Sequence, residues 1–315
     1  MCSSDLESSL SILSALSDTV VIDELTAISP KVRFDLSNIN AKESNAETAK
    51  EITGRTILIR QLAIRDGEIT GLHPGLTLSR FNFSVDSLSP ATASNLNLST
   101  YIEFNEQQLP LEVDAEIIPT ATFDGLTVRN VALRSRELTL DYSGYLSAAK
   151  SGQFSGEGQL SVAELSLRQW LRAGNFSVPK TNELDRFNRF TLETGLKVSN
   201  DLLSLRPFSL GLDETSIDGR VDINLNPLNL DLELLADQVN LDGYLTNSSA
   251  SDAQPSSPPP LLSGTYKLDI GSLTIRQREL TDVGVDLGIG ADEITLGRLD
   301  ATLFGGELRA AGKIG

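Results

Sequence analysis

Cysteine, histidine and tryptophan are scarce in this chain, with one of each among 315 residues. The single cysteine, Cys2, excludes an intrachain disulfide. The single histidine, His73, lies in a turn-like setting in residues 71–75 that is typical of a solvated side chain rather than of a catalytic triad member. A zinc site needs several nitrogen and sulfur ligands. We therefore predict no catalytic residue, no cofactor and no metal ion.

Basic residues and long apolar runs are also in short supply. The 26 Lys and Arg residues are outnumbered by 43 Asp and Glu residues, which gives a formal net charge of -17. Such a surface repels phosphate backbones, so nucleic acid is excluded as a predicted partner. No window approaches the roughly 18 consecutive apolar residues of a membrane-spanning helix. No signal peptide follows Met1.

What the sequence has in abundance is alternation of apolar and polar residues with a period of two. Residues 217–225 and 228–234 alternate without a break, and Asn226-Pro227 separates them. Because successive side chains of a strand point to opposite faces, each segment is predicted to be a strand with one apolar face, joined by a turn. The pattern recurs along the chain between turn signals such as Asp66-Gly67. We predict a mainly β fold: an elongated, curled antiparallel sheet, groove-like or sandwich-like, with a few short helices.

A few segments depart from this pattern. Residues 162–173 and 182–190 carry apolar residues at helical spacing, and residues 239–245 are predicted to form a short turn or helix. Residues 10–27 are ambiguous between helix and strand. In the first of these segments, Trp170 is predicted to plug the end of a sheet rather than to contact a ligand.

The apolar face of the predicted sheet can be covered in three alternative ways. It packs against a second sheet, closes into a barrel, or curls into a trough that holds an apolar ligand, and the sequence leaves all three open. A trough has a large driving force, since burying one CH₂ is worth roughly 0.8 kcal/mol, and one acyl chain on the order of 10 kcal/mol before entropy and desolvation reduce it. The residues predicted to face lipid in such a groove are Ile217, Val221, Ile223, Leu225, Leu228, Leu230, Leu232 and Leu234.

Two motifs in this part of the chain have a specific order. A strand ending in Asp-x-Thr-x-x-x-Gly is followed by a hairpin, then by a Leu-Asp-x-Tyr-Leu step and a Ser/Pro-rich insert at residues 248–260. In these elements the chain resembles the AsmA family, and its helical segment 168–171 is similar to a helical interruption of that family. The resemblance is good from about residue 160 to residue 315 and loose before it. The residues that match the two motifs are Asp213, Thr215, Gly219, Leu241, Asp242, Tyr244 and Leu245.

The resemblance implies a cell-envelope protein of Gram-negative bacteria, anchored in the inner membrane by one N-terminal helix, with a β-rich body in the periplasm. The family is associated with outer-membrane assembly and lipid homeostasis. Its larger relatives are thought to carry phospholipid between membranes in hydrophobic troughs. The implied partners are therefore phospholipid, the inner membrane and other envelope proteins. The family has no catalytic residues to carry over.

The resemblance and the composition together predict the organisation of the chain. Residues 1–6 are interpreted as a non-native scar, because the codons TGC TCT TCC GAT CT of a common sequencing adapter would encode residues 2–6. Residues 7–246 form an AsmA-like β-rich region, and residues 247–261 form a Ser/Pro-rich linker that is disordered or extended. Residues 262–315 begin a C-terminal AsmA-like β region that stops in mid-strand. We accordingly expect an internal piece of a longer protein.

Two other function classes stay open beside the lipid-binding one. The first is a structural or adhesion module, in which the strands fill their own core and present loops to a partner. The second is a β-helical enzyme acting on acidic polysaccharide. The acidic surface and the scarcity of His and Trp argue against this enzyme. The adjacent carboxylates of Asp213-Glu214 and Asp292-Glu293 are expected to point apart into water rather than to form a hydrolytic pair.

Overall fold

The computed structural model describes residues 5–10, 19–33, 56–73, 75–104, 107–149, 152–245, 262–290 and 293–314. Strands make up 74% of the chain and helices 4%, which confirms the predicted mainly β class. The chain divides into two compact units. Unit 1 comprises residues 1–152 and 173–176, and unit 2 comprises residues 153–172 and 177–315.

Unit 1 is built on a meander of antiparallel strands. The strands from β4 to β9 pair in sequence order, β1 pairs antiparallel with β2, and β2 and β3 both pair parallel to β4. The bounds are β1 Asp5–Leu10, β2 Thr19–Ile28, β3 Lys31–Arg33, β4 Thr56–Thr70, β5 Leu76–Leu88, β6 Ser94–Phe104, β7 Gln107–Pro119, β8 Gly125–Ser135 and β9 Leu138–Ala149.

Strand β4 continues without interruption through Asp66-Gly67, so the prediction of a turn at these two residues is wrong. Asp66 has a φ of 53°, and the register between β4 and β5 shifts on both sides of Gly67. The side-chain oxygen of Asn82 accepts a hydrogen bond from the Asp66 N–H at 3.0 Å. This contact satisfies a backbone donor at the bulge. An Asp-Gly pair suits a bulge as well as a turn, and the partner strand decides between them.

Unit 2 is a second meander with two short helices. Its strands pair antiparallel in sequence order, except that β14 and β15 are parallel. The bounds are β10 Phe154–Leu165, α1 Leu167–Ala173, β11 Phe190–Ser199, β12 Leu202–Leu212, β13 Thr215–Leu225, β14 Leu228–Asn240, α2 Leu241–Tyr244, β15 Gly264–Ile275, β16 Arg278–Ile289, β17 Ile294–Leu303 and β18 Gly306–Ile314. The predicted linker, residues 247–261, lies outside the described residues.

The hairpin predicted around Asn226-Pro227 is present as β13 and β14. Val221 lies opposite Leu232, and Ile223 lies opposite Leu230. Each apolar residue therefore faces another across the strand pair, which is the register that period-two alternation favours.

The helical predictions have mixed outcomes. The helix predicted in residues 162–173 begins only at Leu167, because residues 162–165 continue β10 and pair with β11. Residues 182–190 are not a helix: turns occupy residues 184–187, and Phe190 begins β11. Residues 239–245 do contain the short helix α2. In residues 10–27, the described part is strand.

Candidate functional site

The first candidate site is the apolar face of unit 2. The strand register lines up apolar side chains across neighbouring strands. One such row crosses seven strands from β11 to β17, and a second row beside it continues into β18. The first row is Leu196, Leu205, Val221, Leu232, Tyr266, Leu287 and Leu296. The second is Val198, Leu203, Ile223, Leu230, Gly264, Ile289, Ile294 and Ile314.

All eight residues predicted to line a groove lie on β13 and β14, and none of them is buried. Leu225 and Leu228, beside the hairpin turn, are 52% and 51% exposed. The other six are half-buried: Ile217, Val221, Ile223, Leu230, Leu232 and Leu234. A second sheet packed face to face would bury such side chains. This face is therefore accessible to solvent along the hairpin.

The opposite face of the same strands carries ion pairs. Arg206 Nε lies 3.0 Å from Asp222 Oδ1, and Arg220 Nη2 lies 2.7 Å from Glu233 Oε2. Burial alone would raise the pKa of Asp222, but hydrogen bonds from Arg206 and Ser204 outweigh it and hold that pKa below its usual value. Unit 2 thus separates its polar and apolar surfaces on the two faces of one sheet.

One end of unit 2 is closed by a polar cluster centred on Asp213, which we call the end cap. Asp213 accepts hydrogen bonds from the backbone N–H groups of Phe187, Asn188 and Arg189 at 2.8, 2.9 and 3.2 Å, and from the Tyr244 hydroxyl at 2.6 Å. Burial alone would raise the pKa of this carboxyl, but these four hydrogen bonds outweigh it and lower the pKa. The three backbone donors also explain why this segment forms turns instead of a helix.

Arg186 is the buried cation of the end cap, with 6% of its surface exposed. It makes ion pairs with Glu214 and Glu183, and its guanidinium lies 5.1 Å from the centre of the Tyr244 ring. The hydrogen bond with Glu214 is the main reason that the pKa of Arg186 is raised. Gly243 lies against the guanidinium, where a Cβ would come within 2.2 Å of Nε. The cluster is thus closely packed around a paired charge.

Helix α1 contacts the end cap through Arg168. Arg168 is the buried residue of the helix, and its guanidinium donates to the Arg186 carbonyl at 2.8 Å and to Thr181 Oγ1 at 2.7 Å. Trp170 is only half-buried. The sequence analysis did not single out Arg168, whose side chain makes these contacts.

Residues that carry the family resemblance coincide with the end cap. Asp213 and Tyr244 bind each other directly. Asp242 accepts the backbone N–H groups of Arg276 and Gln277, both at 2.6 Å, and so ties α2 to the β15–β16 turn. These carboxylates are engaged as hydrogen-bond acceptors within the fold. This arrangement therefore indicates a structural role for these residues.

A separate cavity that sequence analysis missed lies in unit 1. It is open, has a volume of about 710 Å³, and is bordered at the β7–β8 turn by Phe123, which is 47% exposed. The turn is held by Thr120, whose Oγ1 lies 2.7 Å from Asp124 Oδ1 and accepts the Gly125 N–H at 3.0 Å. The apolar residues lining the cavity include Leu62, Phe83, Val85, Leu88, Ile117 and Leu126.

The lone histidine does not contribute to any of these sites. His73 is exposed, and its ring lies 6.1 Å from the ring of Phe104. Within the described ranges, no group of three or more His, Cys, Asp or Glu residues could hold a metal ion. In that same part of the chain, neither helix has the length and hydrophobicity needed to cross a membrane.

Comparison with known proteins adds no neighbour: no family model, curated protein or solved structure matches this chain.

Proposed function

We propose that this chain belongs to a non-enzymatic cell-envelope protein of the AsmA type, which takes part in outer-membrane assembly or lipid homeostasis by holding phospholipid acyl chains against apolar sheet surfaces. The observation that carries the proposal is the half-exposed state of the eight groove residues of unit 2. They lie on a face whose apolar rows cross at least seven strands, and they are accessible to a ligand.

The energetics favour an apolar ligand on this face. An acyl chain laid along the rows removes CH₂ groups from water on both the ligand and the protein. At roughly 0.8 kcal/mol for each CH₂, the gross gain is on the order of 10 kcal/mol before the costs of association are subtracted. The charged side chains point to the other face, so the groove residues meet the ligand without desolvating an ion pair.

The unit 1 cavity supports the same class of ligand. Its volume of about 710 Å³ lies within the range of roughly 300–1,000 Å³ that is usual for small-molecule sites. Its lining includes Leu, Ile, Val and Phe side chains, with Thr122 and Asp124 at the turn. An acyl chain suits such a lining better than a polar headgroup does.

The location and partners in this proposal come from the resemblance. We place the protein in the periplasm, attached to the inner membrane, with phospholipid as ligand and other envelope proteins as partners.

The test is lipid extraction of the purified protein followed by mass spectrometry. The double variant Val221→Asn/Leu232→Asn places two amides opposite each other in the apolar row, and we expect it to lose most of the co-purified phospholipid. The matched control, Arg220→Asn/Glu233→Asn, changes an opposing pair on the other face and should keep the phospholipid. Circular dichroism verifies that both variants fold. An unaltered protein that carries no phospholipid above background would overturn the proposal in favour of an adhesion module.

A further inference from the structure

Unit 1 has a second open cavity, which we call the polar cavity, on the face of its sheet opposite to the apolar one. Its volume is about 310 Å³. Gln61 and Ser84 line the polar cavity, whereas their chain neighbours Leu62 and Val85 line the apolar cavity. Because successive side chains of a strand point to opposite faces, the two cavities lie back to back on the same strands. A ligand of the polar cavity is therefore separate from an acyl chain in the apolar one.

The floor of the polar cavity is a row of side chains that crosses neighbouring strands. Ala63 lies opposite Ser84, Ser84 opposite Asn97, and Asn97 opposite Asp114. The row begins at Thr26 on β2, which pairs with Ala63. Thr26 and Ala63 are 0% and 5% exposed, although the rest of the row is polar and accessible. The polar face is therefore recessed at this end of the row.

Internal contacts hold several side chains at the rim of the polar cavity. Arg65 Nη2 lies 3.6 Å from Glu24 Oε1, and Arg134 Nη1 lies 2.8 Å from Asp114 Oδ2. Both ends of the Asn82 amide bond to backbone groups, at 3.0 and 2.9 Å. These groups are already engaged within the fold, so the rim is fixed without a ligand.

Other polar side chains of the cavity are not engaged in this way. Glu112 lies opposite Arg134 in the strand register, but the Arg134 guanidinium bonds to Asp114 instead. Within the described residues, five lining side chains make no hydrogen bond or ion pair with the rest of the protein: Gln61, Ser84, Asn97, Ser99 and Glu112. The cavity thus presents two amides, two hydroxyls and one carboxylate that are available to a ligand.

These groups define the chemical class of the ligand. Amides and hydroxyls both donate and accept hydrogen bonds, as the hydroxyl groups of a sugar do. The Glu112 carboxylate favours a cationic group, which forms a charge-assisted hydrogen bond with it, and it repels an anion. An apolar ligand would leave the polar lining without partners. The volume of about 310 Å³ is at the lower end of the range of roughly 300–1,000 Å³ for small-molecule sites.

We propose that the polar cavity binds an amino sugar, with the ammonium group at Glu112 and the ring hydroxyls at Ser84, Asn97 and Ser99. The inference does not rest on the binding of acyl chains, because the two cavities lie on opposite faces. Co-purified phospholipid and sugar binding are measured separately, so either proposal can fail without the other.

The first test is a titration with glucosamine, at a pH at which its amine is protonated, followed by saturation-transfer NMR. We expect saturable binding, and roughly tenfold weaker binding of glucose, which has the same ring with a hydroxyl in place of the ammonium group. Glu112→Gln keeps the size of the side chain and removes its charge. It should weaken glucosamine binding roughly tenfold and leave glucose binding unchanged. The control Glu137→Gln makes the same change at the exposed β8–β9 turn and should alter neither.

The second test removes a contact that both sugars share. Asn97→Ala should weaken the binding of glucosamine and glucose by a similar factor, several-fold for one lost hydrogen-bonding group. Asn95→Ala is the matched control, since Asn95 is an exposed amide on the same face of β6 and lies outside the cavity lining. The amide spectrum of each variant verifies its fold. Absence of saturable glucosamine binding, equal affinity for glucose, or an unchanged affinity in Glu112→Gln overturns the proposal.

Discussion

The cavity wall of unit 1 and the β13–β14 hairpin of unit 2 bury their apolar side chains to different extents. In unit 1, Val85 and Ile117 are 1% and 5% exposed and lie at the wall of a defined cavity. In unit 2, the hairpin residues Val221 and Leu232 remain half-exposed, while the end of the sheet is closed by the end cap around Asp213. The comparison teaches that the same alternation of apolar and polar residues places nearly buried side chains beside a cavity in one region and half-buried side chains along a hairpin in another.

The largest expected effect comes from removing the centre of the end cap. Asp213→Ala leaves three backbone donors and the Tyr244 hydroxyl without their acceptor. Because hydrogen bonds to a charged group contribute about 1.5–3 kcal/mol each but are not additive, we expect the free energy of unfolding to fall by about 3 kcal/mol. Urea denaturation measures it.

Asp218→Ala is the control for this variant. Asp218 is an exposed carboxylate on β13, and its loss should change stability by less than about 0.5 kcal/mol. Equal losses in the two variants would show that the end cap does not stabilise unit 2.

A smaller loss is expected at Gly219, the glycine of the first motif. Its φ is 153°, and a Cβ there would lie 2.0 Å from the Glu233 carbonyl oxygen. The backbone of β14 must shift to admit it, so Gly219→Ala should cost about 2 kcal/mol. Gly288→Ala is the matched control, because no atom comes closer than 3.9 Å to its Cβ. If both variants melt at the same temperature, Gly219 has no special conformational role.

The third effect is a dependence of stability on acid. Asp213 has a lowered pKa in the folded state, so the unfolded chain takes up its proton first. The stabilisation from this carboxylate is therefore complete above the unfolded pKa of about 4 and is lost as the pH falls through the lower folded value. When unfolding is followed from neutral pH to about pH 3, the acid-induced loss of stability should be smaller in Asp213→Asn than in the unaltered chain. A parallel decline in both would assign the acid sensitivity to other groups.

Local pattern predicted much of the fold, and long-range contacts account for what it missed. The β13–β14 hairpin follows from alternation and an Asn-Pro turn, all within residues 215–240. By contrast, β15 pairs parallel with β14 although residues 241–263 separate the two strands in the sequence. Asp213 likewise meets Tyr244 from 31 residues away. The alternation of apolar and polar residues does not specify these contacts between segments that are far apart in the sequence.

The candidate site shows the same division. Alternation placed the eight residues of the lipid-contact hypothesis on one face of the β13–β14 hairpin, and the strand register agrees with that placement. The unit 1 cavity was not predicted, because it needs β4, β5 and β7 to come together beside the turn that carries Phe123. The sequence showed the apolar strands, but not that the turn between β7 and β8 borders a cavity beside them.

The variant with the smallest expected effect on stability tests which of the two units binds an acyl chain. Phe123 borders the unit 1 cavity while remaining 47% exposed, so Phe123→Ala should change the free energy of unfolding by less than about 1 kcal/mol. It removes one apolar wall, and a fluorescent fatty-acyl probe should bind several-fold more weakly, as expected for the loss of about 1 kcal/mol of apolar contact. Phe154→Ala removes a similarly exposed phenylalanine, 39% exposed, from unit 2 and serves as the control.

If the probe responds to Val221→Asn/Leu232→Asn but not to Phe123→Ala, the acyl chain lies on the open face of unit 2. The reverse result assigns it to the cavity of unit 1.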